Sequence, residues 1–336
     1  MAYQTSTYTD ASGLLASLSS FASSNGWTID DAVGSNKFAM HKGDIWVSMR
    51  FDSPTHEIVS LHQALGHTVA ADPGDHPDDS GSGYNSSSSV TEANLDGERY
   101  FEADMRPLGS TGTYHFFEND SSPAYLHVVL VRADLSCVHF GFGEVVKFGT
   151  WTGGEYCYGH VDSGISEPYS SSTTSLLLDG RFSVTNDANL NFSPTLHIEG
   201  FPDQDVAGKW GEVGAGLESS QGTDTAGELR YKIQGGYRGG PLMRFFGQFP
   251  TNRSSGYINT IPISLFGCHL GSTPNRIRRL GEQPDVRGIV LEGIATGEQI
   301  TIGSETWVCF PSVKKGETTD LGVTLYQGVA YRLEVA

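Results

Sequence analysis

"HFGFGEVVKFGTWTGGEYCYGH", residues 139–160, holds six glycines in 22 residues, with aromatic side chains spaced between them. Three readings compete for such a stretch: a loop that cradles phosphate, a metal site, or a β scaffold. A P-loop requires G-x-x-x-x-G-K-[ST], and a dinucleotide fingerprint requires G-x-G-x-x-G between a strand and a helix. Gly141 and Gly143 supply G-x-G, but the next glycine is Gly149, and the residues after it are strand-like rather than helical. Without a helix N-terminus to aim its amides, the stretch has no means of holding a phosphate. It reads as two strands joined by a turn at Thr152-Gly153-Gly154, with the aromatics packed on one face.

The same β signature extends outward. "RYFEADM" (99–105), "GTYHFFEND" (112–120), "AYLHVVLVRAD" (124–134) and "CVHFGFGEVVKF" (137–148) read as consecutive strands. From about residue 240 the pattern resumes in "YINTIPISLFG", "VRGIVLEGI", "EQITIG", "TWVCFPSVKK" and "GVAYRLEV". One helix stands out, in "TDASGLLASLSSFASSNG": Leu14, Leu15, Leu18, Phe21 and Ala22 share one face, Thr9 or Asp10 can cap the start, and Asn25-Gly26 is a stop. After it, "GWTIDDAV", "NKFAMHK" and "DIWVSMRF" predict a three-stranded meander, turning at Gly34-Ser35-Asn36 and Lys42-Gly43-Asp44, that buries the helix on one sheet face.

The expected fold is mainly β, with a small N-terminal α+β unit and antiparallel sheets in a sandwich-like core with long loops. The chain divides into five segments: 1–70, helix plus antiparallel sheet; 71–94, an exposed acidic and serine-rich loop; 95–160, a central β core; 161–240, a peripheral or inserted loop-rich β region; and 241–336, a β region that completes the core. No internal repeat or heptad pattern is visible.

Composition narrows the function classes. Across 336 residues, 39 acidic side chains outnumber 21 basic ones, giving a net charge of −18 that opposes nucleic acid and anionic membranes. The start lacks a basic, apolar leader and no run is long enough to span a membrane, so a soluble protein made in a cytoplasm is expected. Cys137, Cys157, Cys268 and Cys309 form no C-x-x-C pair and are expected as free thiols, the first two in apolar runs.

Candidate chemistry is sparse. The 11 histidines include His56, His62, His67, His115, His127, His139 and His160, without H-x-x-x-H or H-E-x-x-H. His127 and His139 could meet across neighbouring strands as a metal pair, although a lone strand histidine is more often a hydrogen-bonded packing residue. Asp72, Asp75, Asp78 and Asp79 crowd one acidic loop and are the candidate calcium ligands, but the D-x-D-x-D-G order is missing and a solvated loop is the simpler reading. No G-x-S-x-G elbow or cysteine-nucleophile context occurs, so no catalytic residue and no cofactor is assigned. One basic island, "PNRIRRLGEQPDVRG", gathers Arg276, Arg278, Arg279 and Arg287; these are candidate inter-subunit contacts, with pairing to Glu282 and Asp285 as the local alternative.

Three blocks together resemble structural proteins of tailed bacteriophages. They are "MAYQTSTYTDASGLLASLSSFASSNGWTIDD", with its helix, "NGW" and following "GDIWVSMRF"; "YHFFENDSSPAYLHVVLVRADLSCVHFGFGEVVKFGTWTGGEYCYG"; and "RRLGEQPDVRGIVLEGIATGEQITIGSETWVCFPSVKKG" with "GVAYRLEV". The blocks cover roughly half the chain, in the family's order. The resemblance implies a multi-copy virion component of tail, baseplate or neck, made in the host bacterial cytoplasm. Its partners would be copies of itself and other phage structural proteins, and no catalytic residues carry over. A receptor- or glycan-binding module at the tail tip in contact with the host surface, using "SGISEPYSSSTTS" (163–175), is the alternative. A polysaccharide- or peptidoglycan-degrading enzyme is the third reading.

Overall fold

Tyr125–Val131 and Cys137–Glu144 are apolar at both odd and even positions. In a strand that pattern means burial on both faces, so these two strands belong in the middle of a layered body. The computed structural model describes residues 1–31, 37–50, 58–64, 98–104, 112–119, 121–159, 195–199, 209–212, 258, 260–269, 276–311, 315 and 327–335.

These residues form three antiparallel sheets and one helix, α1 (Ala11–Ser24). The first sheet runs β1 (Ala2–Tyr8), β7 (Gly112–Asn119), β8 (Tyr125–Val131), β9 (Cys137–Glu144), β11 (Thr152–Gly159), β12 (Thr195–Glu199) and β13 (Lys209–Glu212). The second runs β10 (Val146–Lys147), β15 (Arg276–Val290), β18 (Gln327–Val335), β17 (Glu305–Pro311) and β16 (Glu298–Ile302), with β14 (Thr260–His269) also paired to β15. The third is a meander of β2 (Thr28–Asp31), β3 (Lys37–Lys42), β4 (Ile45–Arg50), β5 (Ile58–Ala64) and β6 (Glu98–Asp104).

The first sheet is the middle layer. Its even-numbered side chains on β7, β8 and β9, among them Phe116, Leu126, Val128, Leu130, Phe140 and Phe142, pack with α1 and with Met40, Ile45, Val47, Met49 and Leu61 of the third sheet. Its other face, with Phe117, Tyr125, Val129, Cys137, Tyr156 and Tyr158, packs on Val286, Val308, Phe310, Val329 and Tyr331 of the second sheet. A smaller cluster of Ile289, Leu291, Ile294, Ile300, Trp307 and Cys309 is built on the second sheet alone.

The helix forms as its sequence pattern predicts. Asp10 is the N-cap, its Oδ1 accepting from the Gly13 amide at 2.7 Å, and Asn25 closes the end before Gly26 at φ 82. Its apolar face packs against β1 and β7 of the middle sheet as well as β2, so the helix belongs to the layered core rather than to the small meander alone. Asp10→Ala is expected to cost about 1 kcal/mol in urea unfolding, because the N-cap of α1 disappears.

Two expectations for residues 139–160 are corrected. The turn lies at 148–151, with Gly149 at φ 89, and Thr152-Gly153-Gly154 already belong to β11. The reason is β10: it leaves the middle sheet to pair with β15, Val146 opposite Glu282 and Lys147 opposite Gly281, so the chain must reverse earlier. The two glycines instead occupy positive-φ positions beside a register shift against β12. The aromatics also divide between two faces, Phe140 and Phe142 toward the helix, Tyr156 and Tyr158 toward the second sheet.

Register explains three of the six glycines in this stretch. Tyr156 lies opposite Gly143, Tyr158 opposite Gly141, and Phe140 opposite Gly159. Each ring thus meets a strand position with no side chain, and a layer of large rings fits between the sheets.

Candidate functional site

The polar groups that the fold gathers lie between the middle and second sheets. His127 on β8 and His139 on β9 point to the same face because Val129 pairs with His139 and His127 with Gly141. Both rings are fully buried. His127 Nδ1 lies 2.9 Å from the Tyr158 hydroxyl, its Nε2 lies 3.2 Å from the Tyr156 hydroxyl, and the Gln283 amide nitrogen is 3.4 Å from Nδ1. His139 Nε2 lies 2.8 Å from the Pro311 carbonyl, and Nδ1 lies 2.8 Å from the Tyr331 hydroxyl. A carbonyl only accepts, so His139 carries its proton on Nε2 and Tyr331 donates to Nδ1. The hydroxyls of Tyr158 and Tyr331, 3.4 Å apart, join the two histidines into one network.

The histidines therefore meet as the strand geometry allows, but with each of the four ring nitrogens engaged by a tyrosine or a backbone carbonyl. A metal ligand needs an imidazole nitrogen free to face the ion, so the arrangement fits packing with hydrogen bonds. Among the described residues no group of three or more His, Cys, Asp or Glu stands where it could hold a metal ion. Asp72, Asp75, Asp78 and Asp79 lie outside the described residues, as do residues 163–175.

Burial sets the charge state of this layer. It pushes His127 down to about 3, with the neighbouring His139 adding to the effect, and it pushes His115, 2.9 Å from the Tyr3 hydroxyl, down to about 4. Burial likewise raises the Tyr331 hydroxyl and the Cys137 thiol, which leaves both protonated at neutral pH. Cys137 and Cys309 are buried thiols.

These shifts make stability depend on pH. The unfolded histidines protonate near 6.5 and the folded ones only near 3 to 4, so the unfolded state binds more protons throughout that window. The stability carried by these neutral rings is complete above pH 6.5 and is lost as pH falls toward about 3, with a total on the order of several kcal/mol. Urea midpoints measured from pH 7 to pH 3.5 are expected to fall steeply, and His127→Gln is expected to flatten the slope.

A second polar cluster at the same interface was not visible in the sequence. Asp285 sits at φ 57, a left-handed conformation that costs a non-glycine residue about 1 kcal/mol. Its carboxylate accepts from the Tyr125 hydroxyl at 2.6 Å and pairs with Arg332 at 2.5 Å, and Arg332 also reaches Glu305 at 3.1 Å. One carboxylate thus ties β8 of the middle sheet to β15 and β18 of the second. In the sequence Asp285 stands only as a neighbour of the basic island, and nothing local connects it to Tyr125, which lies 160 positions away.

The basic island spreads along one strand. Arg276, Arg278 and Arg279 occupy the first residues of β15, opposite His269, Gly267 and Phe266 of β14. Arg287 lies eleven residues after Arg276, up to roughly 35 Å away in an extended strand, with its guanidinium 5.1 Å over the Trp307 ring. Asp285, one of the two suggested local partners, pairs with Arg332.

Two carboxylates do face each other. Glu144 and Glu155 are register partners on β9 and β11, and burial followed by the Glu155 charge raises Glu144, against a lowering by Lys147. Exposed apolar side chains lie close by: Val146 and Phe148 stand out to solvent, and the Lys147 ammonium lies 5.5 Å over the Trp151 ring.

Compared with known proteins, the chain matches no protein-family model and no curated protein. No helix among the described residues is long and apolar enough to cross a membrane.

Proposed function

We propose that this chain is a multi-copy structural component of a tailed-bacteriophage virion, in the tail, baseplate or neck, and that it acts through contacts between subunits rather than by catalysis. One observation carries the reading: strands from the three phage-like blocks of sequence pair with one another. The first block supplies β1, which pairs with β7 of the second block, and the second supplies β10, which pairs with β15 of the third. The same blocks build the clusters on both faces of the middle sheet. A resemblance that follows one continuous body supports common architecture better than scattered matches would.

The polar layer fits this role. Its imidazoles are neutral and saturated with hydrogen bonds, and the carboxylate of Asp285 is spent on holding two sheets together. Such networks fix one arrangement of a core, which a subunit of a symmetric particle requires.

Light scattering of the purified chain over a range of concentrations, with and without a chelator, tests the reading. A closed oligomer is expected. Dissociation by the chelator would place a cation in the assembly and return attention to Asp72, Asp75, Asp78 and Asp79. A strict monomer at every concentration would count against self-assembly.

A second reading, a receptor- or glycan-binding module at the tail tip, has one observation in its favour. The turn after β10 presents the Phe148 ring to solvent, and an exposed aromatic ring is suited to stacking on sugars or on partner side chains. Loss of host-cell binding in Phe148→Ala, with the solution mass unchanged, would favour it.

A further inference from the structure

We propose that β1 is a pairing edge for a second copy of this chain, so that two middle sheets join through antiparallel β1 strands across a two-fold axis. The inference rests on the assembly reading and names the surface that would carry it. β1 ends the middle sheet: it pairs with β7 on one side, and no described strand pairs with the other. An open edge presents a row of unpaired amides and carbonyls, and proteins ordinarily protect such edges with charge, proline, bulges or short length.

The other sheet-ending strands carry those protections. β13 is four residues long with Lys209 and Glu212, and β6 holds Glu98, Arg99, Glu102 and Asp104. β2 has Asp30, Asp31 and a register shift, β14 has Pro262 and two register shifts, β10 has two residues, and β16 opens with Glu298. β1, "AYQTSTY", is seven residues with no charge, no proline and an unbroken register against β7. It is also held rigid from within, since Tyr3 stacks on Phe117 and Tyr8 is buried.

Charge identifies the occupant. Copies of a chain with net charge −18 repel one another, yet residues 1–29 contain a single charged side chain, Asp10, and that one caps the helix. α1 packs against β1, and its outward positions are small and neutral, including Ser12, Gly13, Ala16, Ser20 and Ser23. Charge depletion at the centre of a contact surface is the compositional mark of an interface. Antiparallel self-pairing about Ser6 would set Thr5 against Thr7, a favourable cross-strand pair with no like charges opposed. A two-fold pairing uses the edge in both copies and so closes, giving a dimer rather than a fibre.

Hydrogen exchange on the intact chain tests this, read at residues 3–7 from micromolar to millimolar concentration. In a free edge strand alternate amides exchange quickly. Self-pairing is expected to protect all of them at high concentration and to release the outward set on dilution. The exposed pair Ser6→Lys with Thr7→Lys is expected to weaken self-association at least tenfold with the melting temperature of the diluted protein unchanged, and Ser6→Thr with Thr7→Ser is expected to retain it. Exchange at β1 that ignores concentration, or a lysine variant that associates like the parent, overturns the proposal. If larger assemblies still form with the edge free, only this surface is wrong and the assembly reading stands. A monomer at every concentration removes both.

Discussion

Replacing Gly141 by valine is expected to destabilise the protein by about 3 kcal/mol or more, read as a shift in the urea midpoint. A Cβ at this position would lie 2.6 Å from His127 Nδ1, 2.9 Å from the Leu126 carbonyl oxygen and 2.9 Å from the Tyr158 ring. None of the three can yield. The carbonyl is backbone of a central strand, and the His127 and Tyr158 rings hold each other and are fixed further by Tyr156 and Tyr331. Gly149, in contrast, has open space around it, and its φ of 89 is the one demand there. Gly149→Ala is strained through its backbone alone and should cost about 1 kcal/mol. The comparison separates the two uses of glycine within one short stretch, room for rings and freedom to turn.

The second large effect is expected at Lys42. Glu118 on β7 is fully buried, and the Lys42 ammonium lies 2.6 Å from its Oε1, with the Trp27 indole N–H donating to the same oxygen at 3.2 Å. Lys42→Met removes the positive charge and leaves the carboxylate in a low-dielectric site, for an expected loss of about 3 kcal/mol. Adding Glu118→Gln should recover a good part of that loss, because the charge that needed a partner is gone. If the double variant is no more stable than the single one, the pair does not act through charge.

Local pattern carried much of the fold. The i, i+4, i+7 spacing of Leu14, Leu18 and Phe21 gives the helix, with Asp10 and Gly26 as its ends, and alternation or continuous apolar runs mark most strands. β5 escaped because "IVSLHQA" turns polar after Leu61 and so shows neither a clean alternation nor a continuous apolar run. Local pattern cannot carry partnership. The jump of β10 to β15, the pairing of β1 with β7, and the contact of Lys42 with Glu118 across 76 positions depend on how the chain closes on itself. The candidate site was half legible for the same reason. His127 and His139 could be placed on facing strands, but the tyrosines that saturate them come from β11 and β18, and the bond of His139 to Pro311 spans 172 positions.

The central claim, that the chain is a building block of a tailed particle, is tested most directly by quantitative mass spectrometry of particles purified from a bacterial culture that produces it. A virion component is expected to band with the particles on a density gradient, in several copies per particle and at a fixed ratio to the other structural proteins. Recovery of the chain only in the particle-free fraction, from cultures that yield intact tailed particles, would contradict the claim.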